Sequence, residues 1–199
     1  MWNEQIIMML LEGIKDTLYM TLTSTLIGYV IGLPMGILLT VTDKDGIHPN
    51  AAVYKVLDVI ANLIRSVPFL ILLIVLIPFT RFLIGRSYGP TATIVPLVIA
   101  AAPYIARMVE SSLKEVDAGV IEAARSMGAS NFTIVTKVML VEARTSLIVG
   151  ATISLGTILG YSAMAGTVGG GGLGDIAIRY GYYRYQSDIM IVTVILLIV

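Results

Sequence analysis

Charged residues along this chain fall in clusters, and long apolar runs separate them. Thr17 to Thr42 carries no charge and exceeds the ~20 residues that a helix needs to cross a hydrocarbon core. Val59 to Thr80 is apolar apart from Arg65 near its start, and Ser87 to Ala106 is charge-free. Thr145 to Gly174 is charge-free too, although its last part dissolves into glycine. Ile189 to Val199 is apolar but too short to span, so the pattern predicts a fifth span that continues past Val199. The expected fold is an all-α membrane protein of five helices in one domain over 1–199. Its spans are expected at about 17–41, 59–80, 88–107, 142–165 and from 188 onward.

Ahead of the first span, Ile6, Ile7, Leu10, Leu11 and Ile14 recur at helical spacing beside Glu4, Glu12, Lys15 and Asp16. This predicts a helix lying in the membrane interface. No basic segment precedes a short apolar core with a small-residue cleavage site, so a cleaved signal is not expected.

Composition agrees with the pattern. The chain is 57% hydrophobic and 13% charged, with a mean hydropathy of +0.90; soluble domains carry about 25% charged residues. The formal net charge of zero argues against a nucleic-acid surface. There is no cysteine, which excludes disulfides and zinc–thiolate sites, and the single histidine, His48, cannot build a multi-histidine metal site. The span interiors hold no ionisable residue for a proton relay, Arg65 being near one end. Neither a Ser/His dyad nor paired aspartates sit in the spans, so catalysis by this chain is not expected.

Five spans set the termini on opposite sides. The loops at about 43–58 and 107–144 share eight basic residues if Arg65 is counted, and the other side holds five. The positive-inside rule therefore puts those two loops in the cytoplasm and the N-terminus outside. Tyr180, Tyr182, Tyr183 and Tyr185 then fall at the outer headgroups, where tyrosine anchors. Gly28, Gly32 and Gly36 share one helix face and let another helix approach, within this chain or across a dimer seam. Pro68 and Pro78, and Pro90, Pro96 and Pro103, favour kinks in the second and third spans.

The segment GYSAMAGTVGGGGLGDIAIRYGYYRYQ, 160–186, places Tyr161, Ser162 and Met164 at a helix end before a glycine run. A phosphate-binding loop would need Lys-Ser/Thr after its last glycine and a strand before it, and neither is present. A lid, a re-entrant turn and a plain outer loop all remain open, with Asp175 and Arg179 spaced to pair on one helix face.

Between the third and fourth spans lies EAARSMGASNFTIVTKVMLVEA, residues 122–143. Val116, Val120, Ile121, Ala124 and Met127 follow helical spacing, Gly128 suits a left-handed helix end, and Ser130 suits the cap of the next helix. A short helix fixed at both ends to spans is predicted over about 116–130. Glu122, Ala123, Ala124 and Gly128, followed by Val138, Leu140 and Val141, resemble the EAA loop of permeases of binding-protein-dependent ABC importers. That pattern reads EAA, three residues, Gly, nine residues, Ile-x-Leu-Pro; here Val replaces both Ile and Pro. RSVPFLILLIVLIPFTRFLIG, AAPYIARMVESSLKEVDAGVIEAARSMGAS and GYSAMAGTVGGGGLGDIAIRYGY resemble the methionine importer permeases within that family.

The resemblance implies a bacterial inner-membrane permease subunit of an ATP-driven methionine importer. It implies a second permease copy, two ATPase subunits and an extracytoplasmic methionine-binding protein as partners, in membrane lipid. ATP and Mg would be bound by the ATPase and no cofactor by this chain. Glu122, Ala123, Ala124 and Gly128 would couple to the ATPase, and Tyr161, Ser162 and Met164 would line the pathway or its gate. An ATP-independent channel or carrier is the rival reading, and it has no evident need for the 116–141 elbow. A permease for another amino acid or a small lipophilic compound is the alternative within the family.

Overall fold

The structure, a computed structural model, describes residues 4–199, and those residues form helices with no strand among them. The first helix, α1 (Glu4–Thr42), runs unbroken for 39 residues and passes through Pro34. At 1.5 Å per residue it is about 58 Å long, well beyond the ~30 Å hydrocarbon core. Among the described residues, the segment expected to form a separate interfacial helix is continuous with the first span. No proline divides the two segments, and Leu10 buries against Leu173, Ile176 and Ile189 while Ile7 and Leu11 stay exposed.

The second expected span, 59–80, comes as three pieces: α2 (Ala51–Ser66), α3 (Phe69–Val75) and α4 (Ile77–Ile84). Asn50 caps α2 by accepting the Val53 N–H at 3.2 Å. Val67 is extended because the Pro68 ring disfavours a helical residue before it, and Leu76 breaks the next join. By contrast α5 (Pro90–Lys114) passes through Pro96 and Pro103 and ends beyond the expected boundary at 107. Then follow α6 (Ala118–Ser126), α7 (Asn131–Thr133), a π-helical stretch Ile134–Met139, α8 (Leu140–Glu142) and α9 (Arg144–Ala165). A 3₁₀ turn (Gly166–Val168), α10 (Gly172–Ile176), a second π-helical stretch (Ala177–Tyr182) and α11 (Ser187–Ile198) complete the order. Among the described residues, three helices are long and apolar enough to cross a membrane, or four if α2 and α3 form one bent span. α11 is apolar but has 12 residues.

The chain divides into two compact units. One comprises the chain up to Leu26, Pro68–Ile99 and Leu155–Val199. Here the glycine run is packed into a turn folded against its own unit. Gly172 has φ +75°, and a Cβ on it would lie 2.6 Å from Thr17 Oγ1, which itself accepts the Leu173 N–H at 2.9 Å. Gly172, Leu173, Gly174 and Ile176 are buried, so neither an open lid nor a plain surface loop describes the segment. Arg179 pairs with Asp175 at 2.9 Å, as the four-residue spacing predicts.

The other unit comprises Ile27–Val67 and Ala100–Ser154. Gly28, Gly32 and Gly36 meet α5 within this unit: a Cβ on Gly32 would lie 2.6 Å from the Ala102 carbonyl oxygen. The small-residue seam is thus an internal contact. Ile105 and Val109 are fully buried against it, and Leu39, Leu113 and Ile134 are fully buried in the same unit.

Candidate functional site: the elbow at 117–143

Local chemistry defines both ends of α6. Asp117 caps its start, accepting the Gly119 N–H at 2.8 Å. At the other end Gly128 takes φ +82°, and its N–H and that of Ala129 bond the Arg125 and Ala124 carbonyls at 2.9 and 3.1 Å. Ser130 then caps the next helix by accepting the Thr133 N–H at 3.2 Å. Both the glycine terminator and the serine cap expected from the sequence are present.

α6 stands out from its unit. Ala124 is buried and Ile121 half-buried, while Glu122, Ala123, Arg125 and Ser126 are exposed. Met127, at 82% exposure, continues the outward face past the helix end. Of the predicted contact residues, Glu122, Ala123 and Gly128 are therefore accessible and Ala124 points inward. Arg125 ties the helix to the 43–47 loop by donating to the Ile47 carbonyl at 2.7 Å. An open cleft of about 610 Å³ lies between this loop, the end of α5 and α6, with Asp45, Glu122 and Arg125 among its polar lining.

The bend into α9 is made without the proline of the family pattern. Ile134–Met139 is π-helical, and Ala143, with φ −77° and ψ 0°, ends α8 before Arg144 starts α9. Val141 is exposed and leaves the turn to this backbone change.

Beside the elbow, α5 carries a charge network that the span boundary at 107 hid. Glu110 is 5% exposed. One of its oxygens accepts from Arg107 at 2.6 Å and the other from Lys114 at 2.8 Å. Arg107 also pairs with Asp58 of α2 and donates to Asn62 Oδ1 at 3.0 Å. Lys114 reaches Asp43, just beyond α1, at 2.6 Å. The hydrogen bond from Lys114 holds the Asp43 carboxyl below its ordinary range, against an opposing effect of burial. A carboxyl lowered this way contributes stability above its unfolded value and loses it as pH falls through the lowered folded value, so the link is intact at neutral pH. The signal in the sequence was the i, i+3, i+7 spacing of Arg107, Glu110 and Lys114 on one helix face.

The three residues predicted for a pathway diverge. Tyr161 stacks on Phe69 with ring centroids 4.5 Å apart. Ser162 is buried, donating to the Leu159 carbonyl at 2.7 Å. Met164 is exposed, and it alone of the three presents an open side chain.

Residues 12–199 match the family described as "Binding-protein-dependent transport system inner membrane component". The chain is 49% identical over 191 residues to a Vibrio cholerae protein named "Probable D-methionine transport system permease protein MetI", covering 96% of this chain and 85% of that one. It is 51% identical over 164 residues to the Escherichia coli "D-methionine transport system permease protein MetI", covering 82% and 76%. A solved structure described as "Inward facing conformations of the MetNI methionine ABC transporter" superposes with a TM-score of 0.97 at 49% identity. That likeness covers 99% of this chain and 91% of the other. Fold, elbow and extent of likeness agree, and this chain belongs to the family of binding-protein-dependent transport system inner membrane components.

Proposed function

We propose that this chain is the permease subunit of an ATP-driven importer of methionine. The observation that carries the reading is the capped, outward-facing α6, set between two span-length helices in a chain that shares about half its residues with D-methionine permeases. In this reading two copies pair in the bacterial inner membrane. Each presents α6 to one ATPase subunit, and an extracytoplasmic binding protein delivers methionine. Glu122, Ala123 and Met127 form the contact face, while Ala124 seats the helix and Gly128 ends it.

ATP and Mg belong to the ATPase, and this chain performs no chemical step. Closure of the ATPase pair shifts the docked helices as rigid bodies, and the spans alternate between inward and outward openings. Five spans are inferred: α1, the α2–α4 stretch, α5, α9 and a fifth at the apolar α11. The N-terminus lies outside and the elbow in the cytoplasm, following the basic-residue asymmetry. Met164 offers its thioether to the pathway, and Tyr161 and Ser162 hold the helix end that carries it. A pathway without fixed charge suits a zwitterion with an apolar tail and leaves selectivity to the binding protein.

The test is reconstitution in liposomes with the ATPase and binding protein. Methionine uptake that requires ATP and ignores membrane potential is the expected result; uptake at the same rate without ATP overturns the reading.

A further inference from the structure

Glu110 is a buried carboxylate in a span-length helix, and such a residue has to be explained by its partners. A buried ion pair contributes little net stability compared with well-packed apolar side chains, so stability alone does not account for it. Its geometry suits another role. Both carboxylate oxygens are engaged, one by Arg107 and one by Lys114, within the last turns of α5. Each cation then reaches out of the helix in a different direction. Arg107 grips Asp58 and Asn62 on α2, and Lys114 grips Asp43 at the end of α1. Asp117, the cap of α6, follows Lys114 by three residues.

We infer that Asp58, Arg107, Glu110, Lys114 and Asp43 are positioning residues that lock the end of α1 and the middle of α2 to α5, so that a push on α6 moves the three helices together. The inference rests on the import reading above. Glu110 is the hub, because it fixes both cations in the orientation that their outer partners require. Apolar contact along the Gly28–Gly32–Gly36 seam holds α1 against α5 laterally but resists sliding weakly. Charge-assisted hydrogen bonds at fixed points along α5 supply the missing axial restraint. Without them the stroke of the ATPase would be absorbed by slippage inside this unit, and ATP would be spent without transport.

The outer anchors are the places to test this, since they leave Glu110 paired. In the full complex in liposomes, with binding protein and L- or D-methionine, Asp58→Asn and Asp43→Asn are each expected to raise the ATP hydrolysed per methionine by about threefold or more. Asp58→Glu, which keeps the charge, is expected to hold the wild-type ratio. Asparagine variants that assemble normally and keep that ratio overturn the inference. So does loss of the assembled complex in both asparagine variants but not in Asp58→Glu, which would mark a folding role alone. A wild-type complex without ATP-dependent uptake refutes the import reading itself and takes this inference with it.

Discussion

Ala123 and Ala124 are neighbours of identical chemistry on different faces of α6. Ala124 is 6% exposed and seated inward, whereas Ala123 is exposed. The same enlargement therefore has two different effects. Ala124→Leu overpacks the seat of the helix at about 1–3 kcal/mol, and the permease should melt earlier by itself. Ala123→Trp should leave that melt unchanged and abolish co-purification with the ATPase. Thermal melts of the isolated permease beside pull-downs with the ATPase check the pair, and equal loss of both properties in the two variants would remove the case for a contact face. At this scale the sequence was informative where the signal is local. Asp117, Gly128 and Ser130 act on backbone groups within three or four residues, so spacing alone identified the glycine and serine roles. The spacing of Arg107, Glu110 and Lys114 was local too, but its link to Asp58 of α2 and to Asp43 past the end of α1 depends on the fold.

An element ends where its backbone is told to turn, and α6 shows how narrow that instruction is. Nothing lies within 4 Å of a Cβ built on Gly128, so a side chain there meets strain from φ +82° and no clash. Gly128→Ala should cost about 1 kcal/mol, roughly a fivefold rise in local opening of the turn. Gly128→Asn should cost less, because asparagine tolerates the left-handed region. Hydrogen exchange at the Gly128 and Ala129 amides measures both, and unaltered protection in the alanine variant would show that the turn is held from elsewhere. Longer elements were read less well. Hydropathy located the apolar run of 59–80, and its prolines marked the joins: Pro68 separates α2 from α3, and Pro78 lies in the first turn of α4, just after the break at Leu76. Not every proline divides an element: Pro96 and Pro103 lie within the continuous α5.

For the whole molecule, the proposed orientation fixes which side each end faces, and the composition supplies a convenient probe. The chain has no cysteine, so single cysteines report without background. In right-side-out vesicles a membrane-impermeant maleimide should label Tyr185→Cys, an 88% exposed position, in intact vesicles. Ser126→Cys, in vesicles lacking the ATPase, should label only after permeabilisation. The reverse pattern would invert the proposed orientation. The family was legible from sequence because the EAA elbow and the flanking segments are contiguous stretches. The packing of the glycine run was not, because its meaning depends on Thr17 and Ala163 reaching it from other parts of the fold.

The unbroken α1 has a consequence for the lipid around it. Its charge-free stretch, Thr17–Thr42, is about 39 Å long when helical, longer than the average bilayer core is thick. A helix with such a surplus accommodates thick and thin membranes by leaning, and small changes in thickness become changes in tilt. Lipid chain length is therefore expected to act on this protein as a continuous mechanical setting, applied along the same helix whose glycines seat α5.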